Sequence, residues 1–291
     1  MKTRLILLLF FILVAQTSAG THDAAAFEVE VHGSGPAMFL IPGASCSGSV
    51  WRQTVEKYRT THKVHVLTLA GYAGVPPLKS DSILPVIKDS LARYIRQNKT
   101  EHSVLIGHSI GGFLAMWLTA ENDHLVDKII IVDALPFLAC LSAPQMTEAI
   151  AKNAFAMMKT YYMNLDSTTL AMTQRMAIKS MLRDENHLDE LVRQSLRSDR
   201  RTLGMTMYEL MTTDLREKIA AIETPGLVLT GWPEQLNSAD NTKLEVKLNS
   251  YRQQYALWEK ARVVAVGRSS HFIMLDNPAG FFAAVDAFLA Q

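Results

Sequence analysis

The sequence predicts an α/β fold: a mostly parallel, doubly wound sheet into which a block of helices is inserted as a cap. Three observations predict it. Short runs rich in Val, Ile and Leu recur through the first half of the chain, separated by segments of helical spacing, as expected of parallel strands covered by helices on both faces. That alternation stops near residue 135, and helical spacing alone continues to about residue 222. Two further strand-like runs and a closing helix then restore it.

The elements follow in order. Lys2 and Arg4 precede an unbroken apolar run from Leu5 to Val14, with small residues at Thr17 and Ala19 before Gly20. A basic start, a short apolar core and small residues at the cut describe a secretory signal peptide over 1–19, too short to cross a bilayer as a helix. The mature chain is therefore expected to be exported, periplasmic or secreted, with no stable membrane span. Residues 27–31 alternate like a half-exposed strand, whereas 37–41 and 63–69 read as deeply buried ones. A helix from about Leu84 to Gln97 leads into a strand at 103–107, a second helix starts near Gly111, and another strand follows at 127–133.

Within the inserted block, Ile150, Ala154, Met157, Met158 and Tyr161 fall on one face of a helix. Ten of the 14 methionines lie between Met146 and Met211. Methionine adapts to irregular apolar shapes, so most should fill a helical core, while some are expected to line an apolar pocket under the cap. Strands return at 226–230 and 262–267, and a helix runs from about Ala279 to Leu289. The expected organisation is a core of 20–136 and 222–291 with a cap of 137–221.

Removing residues 1–19 takes away two basic residues and no acidic one, leaving 27 against 28. With no basic stripe interleaved with aromatics, nucleic acid is excluded as an expected partner, and a small molecule is the expected one. The only two cysteines, Cys46 and Cys140, form no metal-like spacing, and no dinucleotide-type glycine pattern is present, so no cofactor is expected.

One motif carries chemistry. Gly107-His108-Ser109-Ile110-Gly111 matches G-x-S-x-G, between an apolar strand and an apolar helix. The glycines let strand and helix approach while the turn lifts the serine hydroxyl above the sheet, and the helix N-terminus favours developing negative charge. A serine hydroxyl needs a base, which an acid must orient. Of nine histidines, His22, His62, His102, His124 and His187 lie in polar surroundings, His32 and His65 in or beside strands, and His108 inside the turn. His271 alone follows the last strand-like run on a loop before the closing helix, where ligands bind in open α/β sheets. The loop after the strand at 37–41 contains Pro42-Gly43, and the amides of Ala44 and Ile110 are the expected oxyanion donors.

These segments, with "LTLAGYAGVPP", "IIIVDALP" and "HFIMLDNPAGFFAAVDAFL", resemble the α/β-hydrolase superfamily over nearly the whole mature chain outside the cap. The resemblance implies hydrolysis of an ester or related acyl bond, with Ser109 as nucleophile and His271 as base. Many relatives have His-Gly where this chain has Pro42-Gly43. Relatives that open epoxides or displace halide carry an aspartate in place of the serine. The acid is left between sites: Asp133 at the end of one strand comes first, Glu234 after the strand at 226–230 second, and Asp240 third. The resemblance also places Cys46 in the oxyanion loop and Cys140 at the cap entrance, from which a disulfide between them is expected. Acyl transfer or lactone opening needs the same residues; a non-catalytic ligand-binding protein of the same fold is the alternative from another class.

Overall fold

Seven strands make one sheet: β1 (Phe27–His32), β2 (Ala37–Ile41), β3 (Lys63–Leu69), β4 (Val104–His108), β5 (Lys128–Val132), β6 (Gly226–Trp232) and β7 (Ala261–Gly267). The computed structural model describes residues 25–141, 143–236 and 242–291. The expected signal peptide and Asp240 lie outside the described residues. The spatial order is β1-β3-β2-β4-β5-β6-β7, with β1 antiparallel to β3 and every other pairing parallel. The direction of winding reverses between β2 and β4, and the crevice beyond their carboxyl ends is where open α/β sheets bind ligands.

The helices of the core are α1 (Arg52–Tyr58), α2 (Ile83–Asn98) and α3 (Ile110–Glu121), followed by the inserted helices and then by others after β6 and β7. Alternation along the strands divides their side chains between two cores. Phe39 and Ile41 of β2 face α2 and α3, while Met38 and Leu40 face the opposite layer with Tyr58 of α1. Every residue of β2 and β4 is buried, which explains why those runs read as continuously apolar.

Between β5 and β6 the chain forms α4 (Glu148–Ala154), α5 (Met158–Asn164), α6 (Ser167–Met181), α7 (Leu188–Leu196) and α8 (Arg200–Thr212), with short 3-10 turns. One expectation changes here. The expected single helical face breaks, with Ile150 on α4, Met157 in the turn before α5 and Tyr161 on α5, and these three side chains are exposed; α4 buries Ala151 instead. Near the end of the block, Leu215 and Ile219 are fully buried in the core that contains α3.

After β6 come α9 (Thr242–Gln254), then α10 (Ile273–Asp276) and α11 (Pro278–Leu289) beyond β7. Helix α9 is not among the elements expected from the sequence. Its signal is a narrow stripe, Leu244, Leu248 and Tyr251, at helical spacing within an otherwise polar segment. The expected disulfide is absent. Cys46 and Cys140 are both free thiols. Cys46 turns into the core layer with Val50 and Trp51, whereas the Cys140 thiol donates towards the Pro144 carbonyl and packs in a separate cluster with Phe137. Proximity along the same edge of the sheet does not orient two Cβ vectors towards each other. No helix among the described residues is long and apolar enough to cross a membrane.

Candidate active site

The turn after β4 holds Ser109 at φ 53°, ψ −121°, a backbone conformation that non-glycine residues rarely adopt. The surroundings enforce it. The Ser109 amide donates to the Val132 carbonyl and its own carbonyl accepts from the Phe113 amide, both at 2.9 Å. A Cβ on Gly107 would lie 2.3 Å from the Gly111 carbonyl oxygen, and one on Gly111 would lie 2.4 Å from that of Ile41. Only glycine lets α3 start this close to β2 and β4. Ala in place of either would force the elbow apart.

Asp133 follows β5 in a similarly unusual conformation, φ 46°. Its Oδ2 accepts from His271 Nδ1 at 2.8 Å. Its Oδ1 accepts from Tyr251 Oη at 2.9 Å, Thr230 Oγ1 at 3.1 Å and the Gly231 amide at 3.3 Å. The carboxylate is therefore fixed at both oxygens, and His271 Nδ1 must carry its proton. Burial pushes the Asp133 carboxyl up, but the His271 bond and charge, Lys247 and Tyr251 outweigh it and bring it down to about 2.

That shift has a consequence for stability. The folded value lies below the ordinary 3.8, so Asp133 stabilises the fold above pH 3.8 and loses that contribution as pH falls through about 2. Urea unfolding at pH 5 and pH 2 is expected to show wild type losing about 2 kcal/mol more than Asp133→Asn over that interval. Equal losses would contradict the assignment.

Of the residues expected to act together, the structure brings Ser109, His271 and Ala44 to one cavity of about 360 Å³. Glu234 stands apart: it is exposed, and its backbone carbonyl accepts from the Arg268 amide. Asp133 is thus the expected acid that meets His271. Among the described residues no hydrogen bond engages Ser109 Oγ. Ser109 and His271 line the same cavity, where catalytic bonds commonly tighten only with substrate.

The loop after β2 crosses directly over the serine. A Cβ on Gly43 would come within 3.2 Å of Ser109 Cβ and 2.8 Å of His108 Nδ1. The Ala44 amide makes no hydrogen bond among the described residues, and the Ile110 amide opens α3, where the helix itself supplies no acceptor. Neither amide has a hydrogen-bond acceptor among the described residues.

Residues beyond those expected support the site. His108 Nε2 donates to the His271 carbonyl at 3.0 Å, and burial together with the neighbouring His271 holds its basicity far below normal, so it stays neutral. The amide of His271 donates to the Met181 carbonyl at the end of α6, and the Ser47 amide donates to Gln194 Oε1 on α7 at 2.8 Å. One helical pair of the inserted block thus fastens both the histidine loop and the oxyanion loop. Tyr251 had no sequence signal beyond its place in the α9 stripe.

The rest of the cavity is mostly apolar, with Ser45, Tyr162 and Gln174 as polar exceptions. One face of α6 supplies Ala177, Ile178 and Met181, and one face of α8 supplies Leu203, Met207 and Leu210. Met181 and Met207 are the methionines on its wall, while Met157, Met172 and Met176 are exposed. Among the described residues no group of three or more His, Cys, Asp and Glu side chains is arranged to hold a metal ion.

Comparison with known proteins agrees with this architecture. The sequence pattern of the "Alpha/beta hydrolase family" matches residues 38–285. A pimeloyl-[acyl-carrier protein] methyl ester esterase from Vibrio atlanticus is 26% identical over 206 residues, covering 69% of this chain and 77% of its own. A hydrolase from Pseudomonas aeruginosa superposes with a TM-score of 0.71 at 17% identity, over 91% of this chain and 94% of its own. The enol-lactonase from Burkholderia xenovorans superposes with a TM-score of 0.70 at 14% identity, over 91% and 96%.

Proposed function

The chain belongs to the alpha/beta hydrolase family, and on that premise we propose that it is an exported serine esterase that cleaves carboxylic esters with an apolar acyl group. The observation that carries the reading is the 2.8 Å bond from His271 Nδ1 to buried Asp133, beside a serine held in a strained turn on the same cavity. With Nδ1 protonated, Nε2 is the lone-pair nitrogen that can take a proton.

In this mechanism Ser109 Oγ attacks the ester carbonyl as His271 Nε2 accepts its proton. The imidazolium is stabilised by Asp133, which stays ionised. The amides of Ala44 and Ile110, reinforced by the N-terminus of α3, hold the oxyanion. Collapse breaks the bond to the alcohol oxygen, which takes the proton from His271. Water, deprotonated by the same nitrogen, then attacks the acyl carbon; the bond to Ser109 Oγ breaks, the acid leaves and His271 returns the proton to Oγ. Leu203, Met207 and Leu210 offer the acyl chain an apolar bed.

An ester substrate is further supported by the methyl ester esterase activity that the Vibrio relative carries by name. Export is supported by the basic, apolar and small-residue pattern of residues 1–19. The test is stopped-flow hydrolysis of p-nitrophenyl esters of increasing acyl length. A burst of p-nitrophenol stoichiometric with enzyme, and efficiency that rises from acetate towards medium chains, are expected. No turnover of any chain length would overturn the reading.

A further inference from the structure

Besides the Ser109 and His271 end and the Ser45 and Tyr162 hydroxyls, one amide side chain breaks the apolar wall. Gln174 of α6 is buried, 7% exposed, and lines the cavity on the same helical face as Ala177, Ile178 and Met181. Its Oε1 accepts from Ser195 Oγ on α7 at 2.8 Å, and Ser195 is itself 1% exposed. Among the described residues its Nε2 has no hydrogen-bond partner. Because the carbonyl end is held from behind by Ser195, the amide end is the part left to the cavity.

Gln174 lies seven residues before Met181, whose carbonyl accepts from the His271 amide. At 1.5 Å rise per residue that is about 10 Å along the helix from the histidine loop. The donor therefore stands well away from the reacting carbonyl, beside the path of a chain that fills the cavity. A hydrocarbon chain there displaces water from Nε2 and leaves the donor unpaired, which costs binding; a chain with an oxygen acceptor at that depth restores the bond. No Lys or Arg lines the cavity among the described residues, so a carboxylate would enter without a compensating charge.

Building on the esterase reading above, the geometry points to Gln174 as a specificity-determining donor that selects esters whose acyl chain carries a neutral oxygen acceptor, such as a second carbonyl, several bonds from the scissile one. Ser195 positions it.

The test compares p-nitrophenyl octanoate with its analogue bearing a keto group on the penultimate carbon. Wild type is expected to favour the keto ester in kcat/KM by about five- to tenfold, the worth of one hydrogen bond to a group otherwise left unpaired. Gln174→Leu is expected to abolish that ratio. Gln174→Glu, which puts an acceptor where the donor stands, is expected to lower it at least as far, in variants that melt cooperatively. A wild-type ratio of one, or an unchanged ratio in both variants, overturns the proposal. To separate this from failure of the esterase reading, the matching N-methyl amides are titrated calorimetrically into Ser109→Ala with and without Gln174→Leu. The keto amide is expected to bind about five- to tenfold tighter only where Gln174 is present, whether or not esters are cleaved; equal affinities overturn the proposal independently.

Discussion

Ser109→Ala is expected to lower kcat for medium-chain p-nitrophenyl esters on the order of 10⁴-fold or more, and to remove the burst altogether. The change deletes the one atom that can bond covalently to the acyl group, while leaving Asp133, His271 and both oxyanion donors in place. It should leave the fold almost untouched. The hydroxyl makes no hydrogen bond among the described residues, and alanine at φ 53° bears the same backbone strain as serine. A melting temperature within a degree or two of wild type, with the activity gone, is the expected pairing. Loss of both would show a structural role instead.

Asp133→Asn is expected to cost on the order of 10³- to 10⁴-fold in kcat, with a much smaller change in KM. Asparagine fits the pocket, and its carbonyl can still accept from Tyr251, Thr230 and the Gly231 amide. The end facing His271 then presents an amide donor, which favours the tautomer with the proton on Nε2, the nitrogen that must be free. The imidazolium also loses its counter-charge. Glu234→Gln is the internal control. Its side chain is exposed and outside the cavity, so less than about a twofold change is expected. The reverse pattern, a silent Asp133→Asn and a crippled Glu234→Gln, would reassign the acid. Both variants are measured by initial rates at saturating and subsaturating ester.

What the sequence disclosed follows from how local each signal is. The elbow was legible because its parts are contiguous: a buried strand, two glycines that permit close approach, and an apolar helix. His271 was legible because it follows the last strand in a short loop, and strand ends in such sheets share one edge. The acid was not, because Asp133 and Glu234 both follow strands that run in parallel, and only side-chain direction separates them. Asp133 is turned towards His271 by its positive φ and by three donors to Oδ1, among them Tyr251 on a helix with few apolar residues. The Cys46–Cys140 pairing failed for the same reason, since nearness along an edge says nothing about which way a thiol points. In the inserted block, the spacing at Ile150, Met157 and Tyr161 is helical, but the chain breaks between α4 and α5 and leaves that face outward. Periodicity reported helix there and could not report which side is covered. Gln174 was equally hidden, a polar residue in a polar-looking stretch until α7 and α8 enclose it.

Covalent labelling reports whether Ser109 is an activated nucleophile. Folded wild type treated with a fluorophosphonate is expected to gain the mass of one phosphonyl adduct, carried by the peptide containing Ser109, with Ser109→Ala gaining none and Asp133→Asn labelling far more slowly. Wild type that hydrolyses esters yet takes up no label, or equal labelling of Ser109→Ala, would contradict the account.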